Sequence, residues 1–523
     1  QQTLRATVDW SYSLLNPAEQ ALLRLLSVFA EGFDLDAAEG VCGTGDIETF
    51  DVGDLLGSLV DKSLVVAEPA GAALRYRLLE TIRQFAAERL AEAGDQAAIA
   101  AGAAHCEHFL RLAEAAAPHL TGPDQGRWLA RLDADHANLR RAAEHAAGDP
   151  EGTGRVLRFG VALRRYWVAR ERHQEGAGLL LPVLDRPEAR ADPGLYGAAL
   201  VAATTAAVYV DPAPARQFGE RAVEFARRLG DDRLLIDALA MLCAAHFHAG
   251  EPGRALPFGQ EAVERARQLG DDILLGLSLL CLFSLIEPAQ AVRLLAEAIA
   301  CTGRSGDQFI NSMLHDQAGV DALCAGDIPA ARAHLEQAAE ATRAIGQESG
   351  LVEGNLGWVR REEGDLDGAR SMFEARLRRS RRHGEERGIA YAGLGLACLA
   401  ADLDDWHRAA MLHGVAQAVL DRTGITWHEP CARYRRDSLA SVRAHLGNEQ
   451  ADRAYAKGAT LSTDEAFHLA LAQPDRPVAL SRSAAARSAA SGPPNRANVT
   501  GRGTGTLAAV LFPRPGPAAE TIG

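Results

Sequence analysis

The densest grouping of metal-capable side chains is His105-Cys106-Glu107-His108, where two imidazoles one helical turn apart could clasp a transition ion. No third ligand follows at metal-site spacing, and the chain carries 16 histidines, so the pair reads as helix-surface histidines with no metal. His246 and His248 read as groove-facing or solvated residues beside a turn. Nucleotide chemistry is no better served. A P-loop needs G-x-x-x-x-G-K-[ST], whose glycine amides cradle the phosphates and whose lysine reaches the β/γ oxygens. The lysines are Lys62, between Asp61 and Ser63, and Lys457, before Gly458, and neither follows a glycine. G-x-S-x-G, H-E-x-x-H and a G-x-G-x-x-G turn after a strand do not occur. No catalytic residue, metal ligand or cofactor-binding residue is therefore expected, and the protein is read as one that binds rather than reacts.

Arginine supplies the remaining candidate chemistry. Arg75 and Arg77 alternate along an expected strand, on the outer face of its hairpin, and could meet a phosphate. In the run 376–383, Arg378, Arg379, Arg381 and Arg382 could grip an acidic partner or a nucleic acid. A solvated face accounts for either group equally well.

The elements that must hold these residues follow from composition and period. A chain of 523 residues should hold about three or four units at ~100–200 residues each. Apolar residues make up 47% and charged residues 24%, the balance of a globular protein, while few aromatics and many alanines favour close-packed helices. A formal charge of −14 excludes whole-chain affinity for phosphate backbones. Eight scattered cysteines without a C-x-x-C pair indicate reduced, mostly buried thiols of a cytoplasmic protein. The most apolar run, 274–286, is shorter than the ~20 residues of a membrane span.

Residues 1–95 read as helix, helix, helix, hairpin, the order of a winged helix. Asn16-Pro17-Ala18-Glu19 is a helix start, followed by Leu22, Leu25, Leu26 and Phe29 on one stripe. Further helices are predicted over 35–41 and 51–62, the latter with Val52, Leu55, Leu56 and Leu59 inward. The period then falls to two over 64–67 and 74–78, with a turn through Pro69-Ala70-Gly71. Trp10, Leu26, Phe29, Leu59, Leu64 and Tyr76 are the expected core of this unit. A DNA-reading role is opposed by charge. The third helix offers Asp51, Asp54, Asp61 and Lys62, and the unit holds 7 basic against 16 acidic residues.

Four strings carry a family resemblance: Gln2-Thr3-Leu4-Arg5-Ala6-Thr7-Val8-Asp9-Trp10-Ser11-Tyr12, Leu25-Leu26-Ser27-Val28-Phe29-Ala30-Glu31-Gly32-Phe33, Leu59-Val60-Asp61-Lys62-Ser63-Leu64-Val65 and Tyr76-Arg77-Leu78-Leu79-Glu80-Thr81-Ile82-Arg83-Gln84-Phe85-Ala86. Together they resemble the segment after the NB-ARC nucleotide-binding module in bacterial STAND-class ATPase-like transcriptional regulators, LuxR-type and SARP (AfsR-like) members included. The resemblance implies a hinge-type winged helix that packs on the nucleotide module and helps hold an off state. It implies ATP binding only with that upstream module, which this chain, opening in mid-motif at Gln1, is expected to lack.

From about residue 100 the chain repeats itself. Phe218-Gly219-Glu220-Arg221-Ala222-Val223-Glu224 is matched 40 residues later by Phe258-Gly259-Gln260-Glu261-Ala262-Val263-Glu264. Helix-end glycines recur at Gly230, Gly270, Gly306, Gly346 and Gly384, and turn glycines at Gly250, Gly326 and Gly364. Such steps predict a right-handed α-solenoid of tetratricopeptide-like helical hairpins, whose groove takes a protein or peptide. The expected organisation is a winged helix over 1–95, an irregular start to the array over 100–195 with breaks at Pro118, Pro150 and Pro193, repeats over 196–425, two capping helices within 426–473, and a disordered basic tail over 474–523. The tail lacks the helix-turn-helix that LuxR-type relatives carry there. The function expected is the sensor portion of a signal-responsive transcriptional regulator, binding a protein or small ligand. Direct DNA binding through the winged helix or tail is one alternative, and a fragment of a signalling ATPase without its nucleotide module is another.

Overall fold

A computed structural model describes residues 2–472 apart from 44–46, 71–72, 209, 348 and 424–425. The expected tail lies outside the described residues. Contacts gather the chain into two units, 1–245 and 246 onward. The protein is mainly α: a winged helix followed by helical hairpins, as the periodicities require.

In the first unit the helix Pro17–Leu26 starts where its capping box dictates. Asn16 Oδ1 accepts from the Glu19 amide, and Glu19 Oε2 accepts from the Asn16 amide, both at 2.9 Å. Asp34 caps the helix Leu35–Cys42, and a 3₁₀ turn, Thr49–Asp51, leads into Val52–Asp61. Leu22, Leu26, Phe29, Phe33, Val41, Leu56, Leu59 and Leu64 are all buried, with Phe29 stacked on Phe33 at 4.2 Å. The wing pairs β1 (Val66–Ala70) antiparallel with β2 (Ala73–Arg77), Val66 opposite Arg77, and Phe33 adds a single bridge to Tyr76.

Two expectations are corrected here. The first strand begins at Val66, not at Leu64, because Ser63 turns left-handed (φ 58°) and the amides of Leu64 and Val65 bond back to the Leu59 carbonyl. Those amides close the helix end and have none left for a ladder. Trp10 is not core: it is 65% exposed. In the helix Gln2–Ser13, Val8 is buried and Tyr12, four residues on, packs edge-on against Phe85 at 5.4 Å, so Trp10 falls on the opposite face.

Helices Glu80–Glu92, Asp95–Ala116, Gln125–Ala134, His136–Gly148, Thr153–Ala169, His173–Leu180, Pro193–Ala207 and Pro212–Leu229 complete this unit, and Asp232–His248 spans the boundary. Pro118 lies in a 3₁₀ turn, Pro150 follows a helix end, and Pro193 is the first residue of its helix behind an Asp192 cap.

The second unit is built from pairs of helices: Pro252–Leu269, Asp272–Leu282, Pro288–Ser305, Gln308–Ala325, Ile328–Ala344, Gly350–Glu362, Leu366–His383, Glu386–Asp402 and Trp406–Thr423. From Pro252 on, alternate helices start 36 to 42 residues apart. Gly230 and Gly270 end equivalent helices at φ +71° and +72°, a left-handed cap that a β-carbon would strain, and the other repeat glycines share that region. Glycines also admit partners. Phe373 lies against both Gly357 and Gly395, where an added Cβ would come within 2.8 and 2.6 Å of its ring.

Three helices, not two, follow the repeats: Cys431–Leu446, Asn448–Ala459 and Thr463–Leu471. The third is started by a capping box between Ser462 and Glu465. Six of the eight cysteines are buried. No helix among the described residues is long and apolar enough to cross a membrane.

Candidate functional site

The helix Val52–Asp61 buries Val52, Leu56 and Leu59 and exposes Asp51, Asp54, Gly57 and Asp61. Lys62, at its end, is drawn to Glu19, a residue only 3% exposed, whose Oε1 also accepts from Ser58 Oγ at 2.6 Å. The bonds from Lys62 and Ser58 hold that carboxyl down at about 2 against its burial. The face a groove-reading helix would present is thus acidic, and its one cation is engaged.

On the wing the two arginines diverge. Arg77 pairs across the ribbon with Glu68 at 2.8 Å. Arg75 does not lie on the outer face as expected: its Nη2 reaches the carbonyls of Gly32 and Ala134 and the carboxylate of Asp135, all at 2.7–2.8 Å. This belongs to a wider set of bonds between the winged unit and the following helices. Arg131 pairs with Asp34 and lies 3.5 Å from Asp135. Asn138 Oδ1 accepts from the Ala30 amide at 2.8 Å while its Nδ2 donates to the Gly32 carbonyl at 2.9 Å. His105 Nε2 meets Asn138 Oδ1 at 3.3 Å, which calls for the Nε2–H tautomer. Burial raises the Asp135 carboxyl against the pull of Arg75. It would raise Asp34 too, but the bonds from Arg131 and the Ala37 amide prevail and lower it. Burial takes His105 down to about 4.

Beside these bonds runs a cleft of about 820 Å³ lined by Asp36, Glu39, His108, Arg111, Arg127 and Trp128, among others, with charges of both signs. His105 and His108 are buried, contrary to the surface placement expected, because the helix Asp95–Ala116 is covered on more than one side. Among the described residues no three His, Cys, Asp or Glu side chains are placed to hold a metal ion. His246 is buried as well: it bonds Glu251 at 2.8 Å and stacks on Phe258, so it is not a solvated turn residue.

Of the expected contacts on the helix Leu366–His383, Arg378 bonds Glu374 at 3.0 Å and Arg379 is also engaged. Arg381 pairs with Asp464 and lies over the Phe467 ring at 4.1 Å, which fastens the last helix. Arg382 is exposed. The sequence reading passed over Arg376 in the same run, which is buried, and gave no part to Arg131, Asp135 or Asn138. Only a helix register could have shown Arg376 turning inward with Phe373, Leu377 and Ser380.

With this geometry in view, the class of module is clear. Residues 15–91 match the profile of a winged helix-turn-helix domain. The chain is 35% identical over 266 residues to a protein of Mycobacterium bovis provisionally named an HTH-type transcriptional regulator, a match spanning 48% of this chain and 29% of that protein. A Mycobacterium tuberculosis protein of the same name matches equally. An uncharacterized M. tuberculosis protein is 46% identical over 102 residues, 19% of this chain and 26% of its own length. The chain thus spans under a third of the length of these curated relatives. The crystal structure of a signal transduction ATPase with numerous domains (STAND) and a tetratricopeptide repeat sensor, from Pyrococcus horikoshii, superposes with a TM-score of 0.39 at 15% identity, covering 85% of this chain and 66% of that one.

Proposed function

We propose that this chain is the hinge and sensor portion of a bacterial signal-responsive transcriptional regulator of the STAND class, arranged as in LuxR-type and SARP-like members. In this reading the winged helix is a packing element rather than a DNA reader, and the helical hairpins bind a protein or small ligand. The chain performs no covalent chemistry of its own, works in the cytoplasm, and meets ATP only through an NB-ARC module on another part of the full-length protein. The similarity to mycobacterial proteins named as transcriptional regulators supports the setting. The observation that carries the reading is the capture of Arg75 by Gly32, Ala134 and Asp135, since a wing whose arginine is bound within its own chain has surrendered a phosphate contact. A ligand on the hairpins would act by binding one state of the full protein more tightly than another.

The test is fluorescence anisotropy of labelled duplex DNA with the full chain at low and then rising salt. No binding at low salt is expected. Binding that falls with a slope near −0.9 per contacted phosphate, and that weakens when Arg77 or the run 378–382 is neutralised, would instead establish direct DNA contact.

A further inference from the structure

The 820 Å³ cleft of the first unit is lined by three helices whose charges differ in sign. Leu35–Cys42 supplies Asp36 and Glu39, three residues apart and so on one face. Asp95–Ala116 supplies His108 and Arg111 at the same spacing, and Gln125–Ala134 supplies Arg127 and Trp128. Asp36, Glu39 and Arg111 form no ion pair with a described residue. Arg127 is held loosely, 3.9 Å from Asp124, with its guanidinium carbon 5.7 Å from the centre of the Trp128 ring. Arg131, which also lines the cleft, is taken up by Asp34 and Asp135.

His108 lies where the two signs meet. It is 9% exposed, and its Nε2 has no hydrogen-bond partner among the described residues. Burial lowers its pKa; Arg111 adds to that, while Asp36, Asp34 and Asp135 oppose it, so the ring feels the carboxylates and the guanidinium together. The close approach of Leu35–Cys42 depends on Gly40, where an added Cβ would come within 2.4 Å of His108 Nδ1. A nearly buried imidazole with an unmet nitrogen is destabilising unless something supplies the partner.

The charges select the ligand. A dianion such as phosphate is repelled by Asp36 and Glu39, and a polycation by Arg111 and Arg127. A zwitterion suits both. A volume of about 820 Å³ takes a ligand well beyond a single amino acid, and Leu112, Ala115 and Trp128 offer it apolar contact. We infer that this cleft binds a di- or tripeptide with free termini, its ammonium against Asp36 and Glu39, its carboxylate against Arg111, and a peptide group at His108. The site lies outside the later hairpins, so it adds a ligand class to the protein rather than restating theirs. Its sensory meaning rests on the regulatory reading above, but the binding does not, and failure of the DNA test and failure of this one are separate results.

The experiment is titration calorimetry of the full chain with leucyl-leucine and leucyl-glycyl-leucine, with leucyl-leucine blocked as its N-acetyl or its amide form, and with leucine. At least one free peptide should bind, and the two blocked forms and leucine should each bind at least tenfold more weakly. The variants should lose discrimination at one end each. Asp36→Asn combined with Glu39→Gln should bind the free and N-acetyl peptides alike, while still preferring acid to amide. Arg111→Met should bind acid and amide alike, while still rejecting the N-acetyl form. Both variants should melt with the parent, since the groups they neutralise have no partners to lose. The inference is overturned if neither free peptide binds, if blocked peptides or leucine bind as tightly as the free ones, or if the variants keep the parent's discrimination at both ends.

Discussion

Arg75 in the wing and Asp135, 60 residues further along the chain, form an ion pair at 2.7 Å in which the carboxylate side chain is wholly buried. The pair ties the wing to the turn between two helices of the array, and the surrounding bonds from Asn138 and Arg131 repeat the tie at Gly32 and Asp34. These bonds fasten the winged unit to the helices that follow it.

Removing one partner of a buried pair leaves the other charge stranded, at about 3–5 kcal/mol. Arg131, 3.5 Å from Asp135, softens this, so Arg75→Met should destabilise the first unit by about 2–4 kcal/mol. Asp135→Asn, which keeps an acceptor for Arg75, should be milder, and Arg75→Met with Asp135→Leu should recover part of the loss. Urea unfolding of the three variants, read as midpoints at constant slope, checks the order. Equal losses in the two single variants would mean that the ion pair is incidental to the packing.

Glu19 joins two helices by one carboxylate, capping its own helix through Oε2 and holding Ser58 and Lys62 through Oε1. Its folded-state value, about 2, lies below the ~4.3 of an unfolded glutamate. The group therefore contributes stability that is complete above pH ~5 and lost as the pH falls from about 4 towards 2. Glu19→Gln should cost about 1–2 kcal/mol at neutral pH and should flatten the stability profile in that acid window. A profile unchanged by the substitution would show that Glu19 is not the group responsible.

The features legible in sequence are those whose cause lies within a turn or two. Asn16 and Glu19 announce a helix start by their spacing, and Gly230 and Gly270 announce equivalent helix ends, because caps are made by adjacent residues. The box at Ser462 and Glu465 was equally legible and would have revealed the third terminal helix. What escaped depends on distant partners. Arg75 looks like a solvated wing residue until Asp135 is beside it, and Arg376 looks like one cation of a solvated run until Gly354 lets it through the next helix. Trp10 was misplaced for a related reason: its helix has one packed stripe, and only the position of Phe85 settles which stripe that is.

His105 gives a second pH signature, of the opposite chemical type. Burial lowers it from the usual ~6.5 to about 4, so between those values the unfolded chain binds a proton that the folded chain refuses. Stability must then fall as the pH drops from about 6.5 to 4, by at most ~1.4 kcal/mol per pH unit for this group. Replacement by Gln, which can still donate towards Asn138, should remove its share of the slope. Chemical unfolding at pH values across this window tests it, and an unchanged slope would assign the acid sensitivity to other buried histidines.

The terminal helices meet the array at two glycines with no slack. An added Cβ on Gly414 would lie 2.0 Å from the Tyr455 carbonyl oxygen, and one on Gly458 would lie 1.9 Å from that of Met411. In each case the obstacle is backbone, which cannot swing aside as a side chain can, so the helices Trp406–Thr423 and Asn448–Ala459 must separate. Gly414→Ala and Gly458→Ala should each cost about 3 kcal/mol, the upper end of overpacking losses. Gly230→Ala, at a left-handed cap with open space around it, should cost only about 1 kcal/mol. Hydrogen exchange separates the two mechanisms. Protection should fall across Asn448–Ala459 in the first pair and only in the last turn of Pro212–Leu229 in the third. If Gly414→Ala kept full protection in Asn448–Ala459, the close crossing would have no part in holding the end of the array.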